Sequence, residues 1–370
     1  MKKKCLFLVL KKGMLFLIII FFMLVLSLCG KVTIPTAQST LLLCAENIIP
    51  SLFPFFVLSS ILIKSGFAKV AGRLFSFIMK PLFSASGQSA IAFIIGIISG
   101  YPMGAKTVSE LYKSGSVPKS EAERLLPFCN NSGPLFVIGA VGTGFLGRTD
   151  IGIFLYLIHL LSAIITGFFL RFFSDDNYSC LNICSEKKRK ESFGMIFSES
   201  VKSAVNSVLF VCGFVVFFAT LSAPFTSILP ENSLTSVLIK GFLEVTIGIK
   251  DALFLTDDKI KLCLISALLG FGGVCVLLQV MGIAKESGLN IKYYFWGKLF
   301  QGITSAFLCN IFYGKMQSLS VFATSNVINF ETGNFGATIT SVFIICCFYF
   351  SILAFRKKIL NNKKMYDKIN

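Results

Sequence analysis

Long apolar runs, separated by short polar loops, make up most of this chain. Several of them approach or exceed the roughly 20 residues that a helix needs to cross the hydrocarbon core of a bilayer. The pattern predicts an all-α polytopic membrane protein with about seven spanning helices and two further hairpins that re-enter the membrane. Eight apolar runs are the candidates for these spans: 14–29, 41–63, 125–146, 151–170, 203–223, 262–282, 294–313 and 337–355.

The first predicted hairpin, 84–105, ends in the sequence S-G-Y-P-M-G-A-K at Ser99–Lys106. Its glycines tolerate unusual backbone angles, and Pro102 lacks an amide hydrogen, so the helix is expected to break there. Freed backbone groups survive at membrane depth only when protein or a cavity surrounds them, and transporters hold substrates at such breaks. A plain loop at the end of a membrane helix is the alternative.

Basic residues lie mostly in the loops on one side of the predicted topology. About four-fifths of the 35 lysines and arginines fall on the inner side, as expected when positive loops stay in the cytoplasm. Two successive basic loops flank 84–105, so this segment enters and leaves on the inner face. The short segment 234–249 is read as a second hairpin, entering from outside, and both termini are predicted to be cytoplasmic.

Composition agrees with a membrane protein, since 55% of residues are hydrophobic, 14% are charged and the mean hydropathy is +0.79. The net charge of +17 would indicate nucleic acid in a soluble protein, but here it is assigned to topology, with the lipid bilayer and not nucleic acid as partner. The 12 cysteines are scattered and indicate no disulfide framework. No metal cluster, cofactor motif or catalytic set is recognised, so no enzyme, metal or cofactor is predicted.

The two halves of the chain show the same order of segments. A span (41–63), a hairpin (84–105) and a broken span (125–146) are matched by 203–223, 234–249 and 262–282. An odd number of crossings separates the halves, so the repeat is predicted to be inverted, a pattern that indicates a transport site near the midplane. A loose alignment of glycine-rich helices is the alternative explanation.

Polar residues at the predicted breaks are the candidates for substrate contact. Lys106 either pairs with a substrate carboxylate or anchors the membrane edge. Glu244 carries a coupling proton or ion, or neutralises Lys106, since an ionisable group at membrane depth is a functional candidate. His159 is more typical of a hydrogen-bonded core residue than of a ligand. The candidate substrate-binding residues are Asn47, Ser99, Gly100, Tyr101, Pro102, Gly104, Lys106, Asn130, Asn131, Ser132, Gly133, Glu244, Thr246, Gly272, Gly273 and, more weakly, Gln279.

Five motifs resemble the sporulation integral membrane protein YlbJ family, the family of stage V sporulation protein V. Besides Ser99–Lys106 they are I-I-P-S-L-F-P-F at Ile48–Phe55, E-A-E-R-L-L at Glu121–Leu126, C-N-N-S-G-P at Cys129–Pro134 and L-E-V-T-I-G at Leu243–Gly248. The resemblance runs from about residue 40 to 285 and extends to proteins with nucleoside-recognition, or Gate, domains.

The resemblance implies a protein of endospore-forming bacteria that lies in the outer forespore membrane and moves dipicolinic acid, a small aromatic dicarboxylate. The segment pattern and the resemblance together predict an anchor span (1–40), a first Gate-like repeat (41–150), a connecting span with a basic loop (151–202), a second Gate-like repeat (203–285) and C-terminal spans with a basic tail (286–370). A nucleoside or other metabolite carrier and a non-transporting scaffold for spore assembly are the alternatives. The coupling ion, proton or sodium, and a homo-oligomeric state remain open.

Overall fold

A computed structural model describes residues 2–173, 192–230 and 233–325, and all regular secondary structure in these ranges is helical. The chain divides into the units Met1–Met316 and Gln317–Asn370. The predicted span 337–355 and the basic tail lie outside the described residues. The α-helices are α1 (Lys2–Leu28), α2 (Gly30–Leu43), α3 (Ile49–Lys64), α4 (Phe67–Phe83), α5 (Ala90–Ser99), α6 (Met103–Lys113), α7 (Lys119–Cys129), α8 (Thr149–Leu170), α9 (Phe193–Thr226), α10 (Leu234–Leu243), α11 (Val245–Ala252), α12 (Asp258–Phe271), α13 (Gly273–Glu286) and α14 (Lys292–Ser325).

Four described segments, all in the first unit, are long and apolar enough to cross a membrane: Gly30–Lys64, Thr149–Phe173, Phe193–Thr226 and Asp258–Glu286. A fifth is added if the bent pair Gly72–Phe83 and Gly87–Ser99, which meet at 98°, counts as one span. The predicted spans 151–170, 203–223 and 262–282 each lie within one of these segments. The predicted helical, membrane-spanning character is thus supported, whereas the predicted count of about seven spans is not.

The predicted span 41–63 contains Pro50 and Pro54, which are expected to kink or break it, but the structure shows a milder disturbance. A π-helical turn, Cys44–Ile48, joins α2 to α3, so the chain stays helical from Gly30 to Lys64. Pro50, which has no amide hydrogen to donate, lies just after this turn, and a local π-helical adjustment is one way in which a membrane helix tolerates a proline.

Helices α5 and α6 fold back on one another, and we call this pair with its connection Gly100–Pro102 hairpin 1. A Cβ atom built on Gly96 would lie 3.3 Å from the Cα atom of Gly104, which a continuous helix would place about 12 Å further along its axis. The helix is therefore interrupted within the motif Ser99–Lys106, where a break was predicted. The turn lies near the end of the predicted hairpin 84–105 and not in its middle, and the second arm runs on to Lys113.

Helices α10 and α11 repeat this arrangement around Glu244, and we call them hairpin 2. A Cβ atom on Gly248 would lie 2.1 Å from the Cα atom of Gly241, so these two short helices also fold back with glycines in contact. In each half a helix with an interruption follows the hairpin. Helix α7 gives way at Asn130–Pro134 to a π-helix, Leu135–Phe145, and α12 gives way at Gly272 to α13.

Candidate functional site

The turn of hairpin 1 lies directly against the interruption after α7. Gly100 has φ +80°, and a Cβ atom there would lie 2.8 Å from the amide nitrogen of Gly133. On Gly104 a Cβ atom would lie 1.9 Å from the carbonyl oxygen of Cys129. Only glycine allows the backbones to approach this closely. The structure thus brings the candidates Gly100, Gly104 and Gly133 together.

Asn130 and Asn131 are fully buried, and helix α14 satisfies much of their hydrogen bonding. The Asn130 side-chain amide donates to the Tyr294 hydroxyl at 3.0 Å, and its Oδ1 accepts from the Ala105 amide at 3.3 Å. Gln301 donates through Nε2 to Oδ1 of Asn131 at 3.0 Å. These two asparagines therefore connect α14 to hairpin 1 across the interruption.

Ser132 extends this polar core to α8. Its amide donates to Nε2 of His159 at 3.1 Å, so in the neutral imidazole the proton lies on Nδ1. Both residues are buried, and within the described ranges His159 Nδ1 has no hydrogen-bond partner. This agrees with the interpretation of His159 as a hydrogen-bonded core residue.

At hairpin 2, Glu244 begins helix α11 as its N-cap. The carboxylate accepts from the Ile247 amide at 2.9 Å, and the side chain is 2% exposed. A Cβ atom on Gly273 would lie 3.2 Å from the Gly241 carbonyl oxygen and 3.4 Å from that of Leu243. The interruption before α13 therefore packs against the turn of hairpin 2, as Gly133 packs against hairpin 1.

The two hairpin turns lie near each other inside the molecule. The Ser132 hydroxyl of the first interruption donates to the Leu269 carbonyl oxygen of α12 at 3.5 Å. Tyr101 of hairpin 1 packs against the same buried cluster as Val245 of hairpin 2. The predicted sites of the two halves therefore form one central region.

A cavity lies beside each hairpin. The hairpin 1 cavity, about 320 Å³, is lined by Pro102, Lys106, Ser109, Glu110, Lys113, Ser203, Asn206, Ser207, Phe210, Ile283, Glu286 and Ser287. The hairpin 2 cavity, about 360 Å³, is lined by Val32, Thr36, Ser39, Thr40, Leu43, Val215, Ala219, Ala223, Thr226, Ser227, Leu229, Lys240, Glu244, Thr246, Ile247 and Lys250.

Helix α9 borders both cavities at different heights. Its residues 203–210 contribute to the lining of the first and its residues 215–226 to that of the second. At about 1.5 Å per residue these two stretches are centred about 21 Å apart along the helix axis. Because α9 is long and apolar enough to span the bilayer, the two cavities lie towards opposite ends of the same spanning helix.

Lys106 faces the hairpin 1 cavity and donates to the hydroxyls of Ser203 at 2.5 Å and Ser207 at 2.9 Å. One predicted alternative, that Glu244 neutralises Lys106, is wrong, because the Glu244 carboxylate caps α11 and the two residues line different cavities. Lys240 forms the ion pair of hairpin 2, with Asp251 at 2.6 Å.

Other candidates lie apart from this centre. Asn47 is exposed on the π-helical turn and lines neither cavity. Ser99 is buried and shares a 2.6 Å hydrogen bond with Ser59 of α3. Gln279 is buried on α13 and donates to the Cys275 sulfur at 3.4 Å. Thr246 lines the hairpin 2 cavity with Glu244, and Gly272 has the positive φ of +84° that ends α12.

The sequence interpretation missed Lys298 and Gln301. Lys298 is 3% exposed, and its ammonium nitrogen lies 3.0 Å from the Asn130 carbonyl oxygen and 2.6 Å from Oε1 of Gln301. The predicted span 294–313 contains Lys298, but neither residue was among the candidates. Its position inside an apolar run, three residues before Gln301 and so on the same helix face, is the signal that marks it.

Comparison with known proteins agrees with this architecture. The family Gate, described as nucleoside recognition, matches residues 45–174. The chain is 28% identical to the sporulation integral membrane protein YlbJ of Bacillus subtilis (strain 168), over 86% of this chain and 90% of that protein. No solved structure matches the chain. The resemblance predicted from the five motifs is confirmed: the chain is similar over most of its length to a sporulation integral membrane protein, and it carries a Gate match from the end of α2 through α8.

Proposed function

We propose that this chain is a membrane transporter that carries dipicolinic acid across the outer forespore membrane during sporulation. The observation that carries the proposal is the pair of cavities at opposite ends of α9, with the two hairpin turns between them. Alternating access requires a central region reached from one side at a time, and interrupted helices in repeated halves are typical of such sites. The similarity to YlbJ supports the place in sporulation.

Lys106 with Ser203 and Ser207 supports an anionic substrate. Their ammonium and hydroxyl groups already meet at the edge of the hairpin 1 cavity. A carboxylate can replace the hydroxyl oxygens as the acceptor for the ammonium, in a stronger, charge-assisted hydrogen bond. Dipicolinate is planar and carries two carboxylates, so Lys106 binds one and leaves the other for hydroxyls and backbone amides.

Purified full-length protein in liposomes tests the proposal directly. We expect saturable uptake of radiolabelled dipicolinate, and we expect Lys106→Ala to reduce it about tenfold, because a hydrogen bond to a charged group contributes about 1.5–3 kcal/mol. Lys285→Ala is the matched control, since Lys285 is exposed and lines neither cavity. Unchanged uptake by Lys106→Ala would assign Lys106 to the membrane edge.

The Gate match favours a nucleoside carrier as the second candidate. Uptake of uridine without dipicolinate in the same liposomes would establish that alternative. A scaffold role predicts neither uptake, together with normal dipicolinate accumulation in sporulating cells that lack the gene.

A further inference from the structure

Lys298 is a buried basic group that substrate binding at the two cavities does not use. Its nitrogen contacts the Asn130 carbonyl oxygen and Oε1 of Gln301, both uncharged. Within the described residues no carboxylate forms an ion pair with it. An unpaired ammonium is costly to bury, so this site holds a charge only when something compensates it.

The number of hydrogen-bond partners fits a neutral amine. A neutral amine donates two hydrogens, matching the two acceptors in contact with Lys298 among the described residues, whereas an ammonium donates three. The amine lone pair is then available for a proton.

The elements around Lys298 contribute few other titratable groups. His159 of α8 is near enough to interact with Lys298 electrostatically. Tyr294, one turn away on α14, is connected to Lys298 through Asn130, which donates to the Tyr294 hydroxyl. Glu121 and Arg124 of α7 bond instead to Ser86 and to the Phe83 and Ser84 carbonyls. Helix α12 has no acidic or basic residue from Leu262 to Phe271.

Lys298 is also linked to the part of the molecule that meets substrate. The carbonyl that it contacts belongs to Asn130, whose side chain holds the Ala105 amide of hairpin 1. Lys106, next in the chain, faces the hairpin 1 cavity. A change of charge at Lys298 therefore acts on a backbone interruption that is bonded to the proposed substrate site.

We propose that Lys298 is the proton-carrying group of this transporter, so that its amine takes up one proton when the anionic substrate enters and releases it when the substrate leaves. The inference rests on the proposed function. An anion at the centre stabilises the ammonium because charges interact strongly at low dielectric, and by linkage the protonated lysine binds the anion more tightly. One proton adds to the amine lone pair, and no covalent bond to a heavy atom forms or breaks. Glu244, the other candidate for a coupling proton, serves as the cap of α11.

Liposomes with a pH gradient test the assignment, using the full-length protein and labelled dipicolinate. With acid outside, we expect wild type to accumulate dipicolinate up to about tenfold per pH unit for one coupled proton. Lys298→Met cannot be protonated, so it is expected to bind dipicolinate more weakly, with an affinity that no longer depends on this proton. It should exchange dipicolinate at equal pH but lose the accumulation driven by the gradient. Lys292→Met, an exposed lysine on the same helix, should behave as wild type.

A second measurement keeps the inference open to contradiction if Lys298→Met does not fold. Dipicolinate added to wild-type protein in weakly buffered detergent should remove one proton per bound molecule, read with a pH dye. Wild type that exchanges dipicolinate but takes up no proton, or Lys298→Met that still accumulates it under a gradient, would overturn this inference alone. Wild type that exchanges no dipicolinate under any gradient would overturn the proposed function as well.

Discussion

At the scale of single residues, Glu244 shows that a buried acid at membrane depth can have a structural task. Its carboxylate accepts a hydrogen bond from the Ile247 amide at the start of α11, where no preceding helical carbonyl is available as an acceptor. An N-cap acceptor of this kind stabilises a helix by about 1 kcal/mol. The sequence indicated that Glu244 mattered but not which partner it had.

Removing this cap should therefore weaken the fold in a way that depends on hydrogen-bond capacity and not on charge. Glu244→Ala is expected to lower stability by about 1 kcal/mol, whereas Glu244→Gln, whose amide oxygen still accepts from Ile247, should lose less than half of that. Thermal unfolding in detergent gives the comparison. An equal loss in both variants would show that the charge, and not the cap, holds hairpin 2.

A second prediction at this scale concerns Gly104, whose lack of a side chain allows hairpin 1 to pack closely against α7. A Cβ atom there would overlap the Cys129 carbonyl oxygen at 1.9 Å, so Gly104→Ala must push two backbones apart. We expect a loss of about 2 kcal/mol or more, since overpacking typically costs about 1–3 kcal/mol. Gly213→Ala on α9, which has nothing within 4 Å, should not lower the melting temperature.

At the scale of elements, the E-A-E-R sequence of α7 holds the sharp bend between α4 and α5. Glu121 is buried and accepts from the Ser86 amide and hydroxyl, each at 2.8 Å, and from the Ser89 hydroxyl. Arg124 donates to the Ser84 carbonyl at 3.0 Å. One helical turn of α7 thus satisfies both backbone groups and hydroxyls at the bend.

Glu121→Ala should loosen this bend. It leaves one amide and two hydroxyls without their acceptor, and an unsatisfied buried polar group costs about 1–3 kcal/mol. The melting temperature should fall clearly against Glu46→Ala, an exposed acid on the π-helical turn. Faster proteolysis between α4 and α5 would be the second sign, and its absence together with an unchanged melting temperature would contradict the role given to Glu121.

Apolar periodicity predicted the long apolar helices and missed the amphipathic helices that carry several charged residues. Helix α6 carries Lys106, Glu110 and Lys113 and was therefore assigned in part to a loop. Helix α4 is amphipathic and was missed for the same reason, because its basic residues led this segment to be assigned to a loop. Hairpin 2, with fewer charges in its first arm, was predicted at 234–249 and runs from Leu234 to Ala252.

Lys298 marks the limit of sequence reasoning on the site. One of its two partners, Asn130, lies 168 residues away in the chain, and the other, Gln301, donates to Asn131, 170 residues away from it. No local pattern records such contacts. The glycine and asparagine breaks were predictable because their chemistry is local: proline and glycine interrupt a helix wherever they occur together.

At the scale of the whole molecule, the positions of the two cavities along α9 predict access from opposite sides of the membrane. Cysteines introduced at Ser39, in the hairpin 2 cavity, and at Glu286, in the hairpin 1 cavity, are both at exposed positions. A membrane-impermeant thiol reagent should label the Ser39→Cys variant from outside and the Glu286→Cys variant only from the cytoplasmic side. The unaltered chain supplies the background of its native cysteines, and labelling of both from one side would contradict the inverted repeat.

The contact of Gly100 with Gly133 restricts how such a molecule can move. The two backbones are in direct contact there, and Gly96 and Gly104 make the same kind of contact with Cys129. No side chain lies between them that could change its rotamer and allow the two segments to slide past each other. Hairpin 1 and α7 must therefore travel as one rigid body. The hinge for any opening then lies in joints made by side chains, such as the hydroxyl contacts of Lys106 with α9, where one set of hydrogen bonds can be exchanged for another.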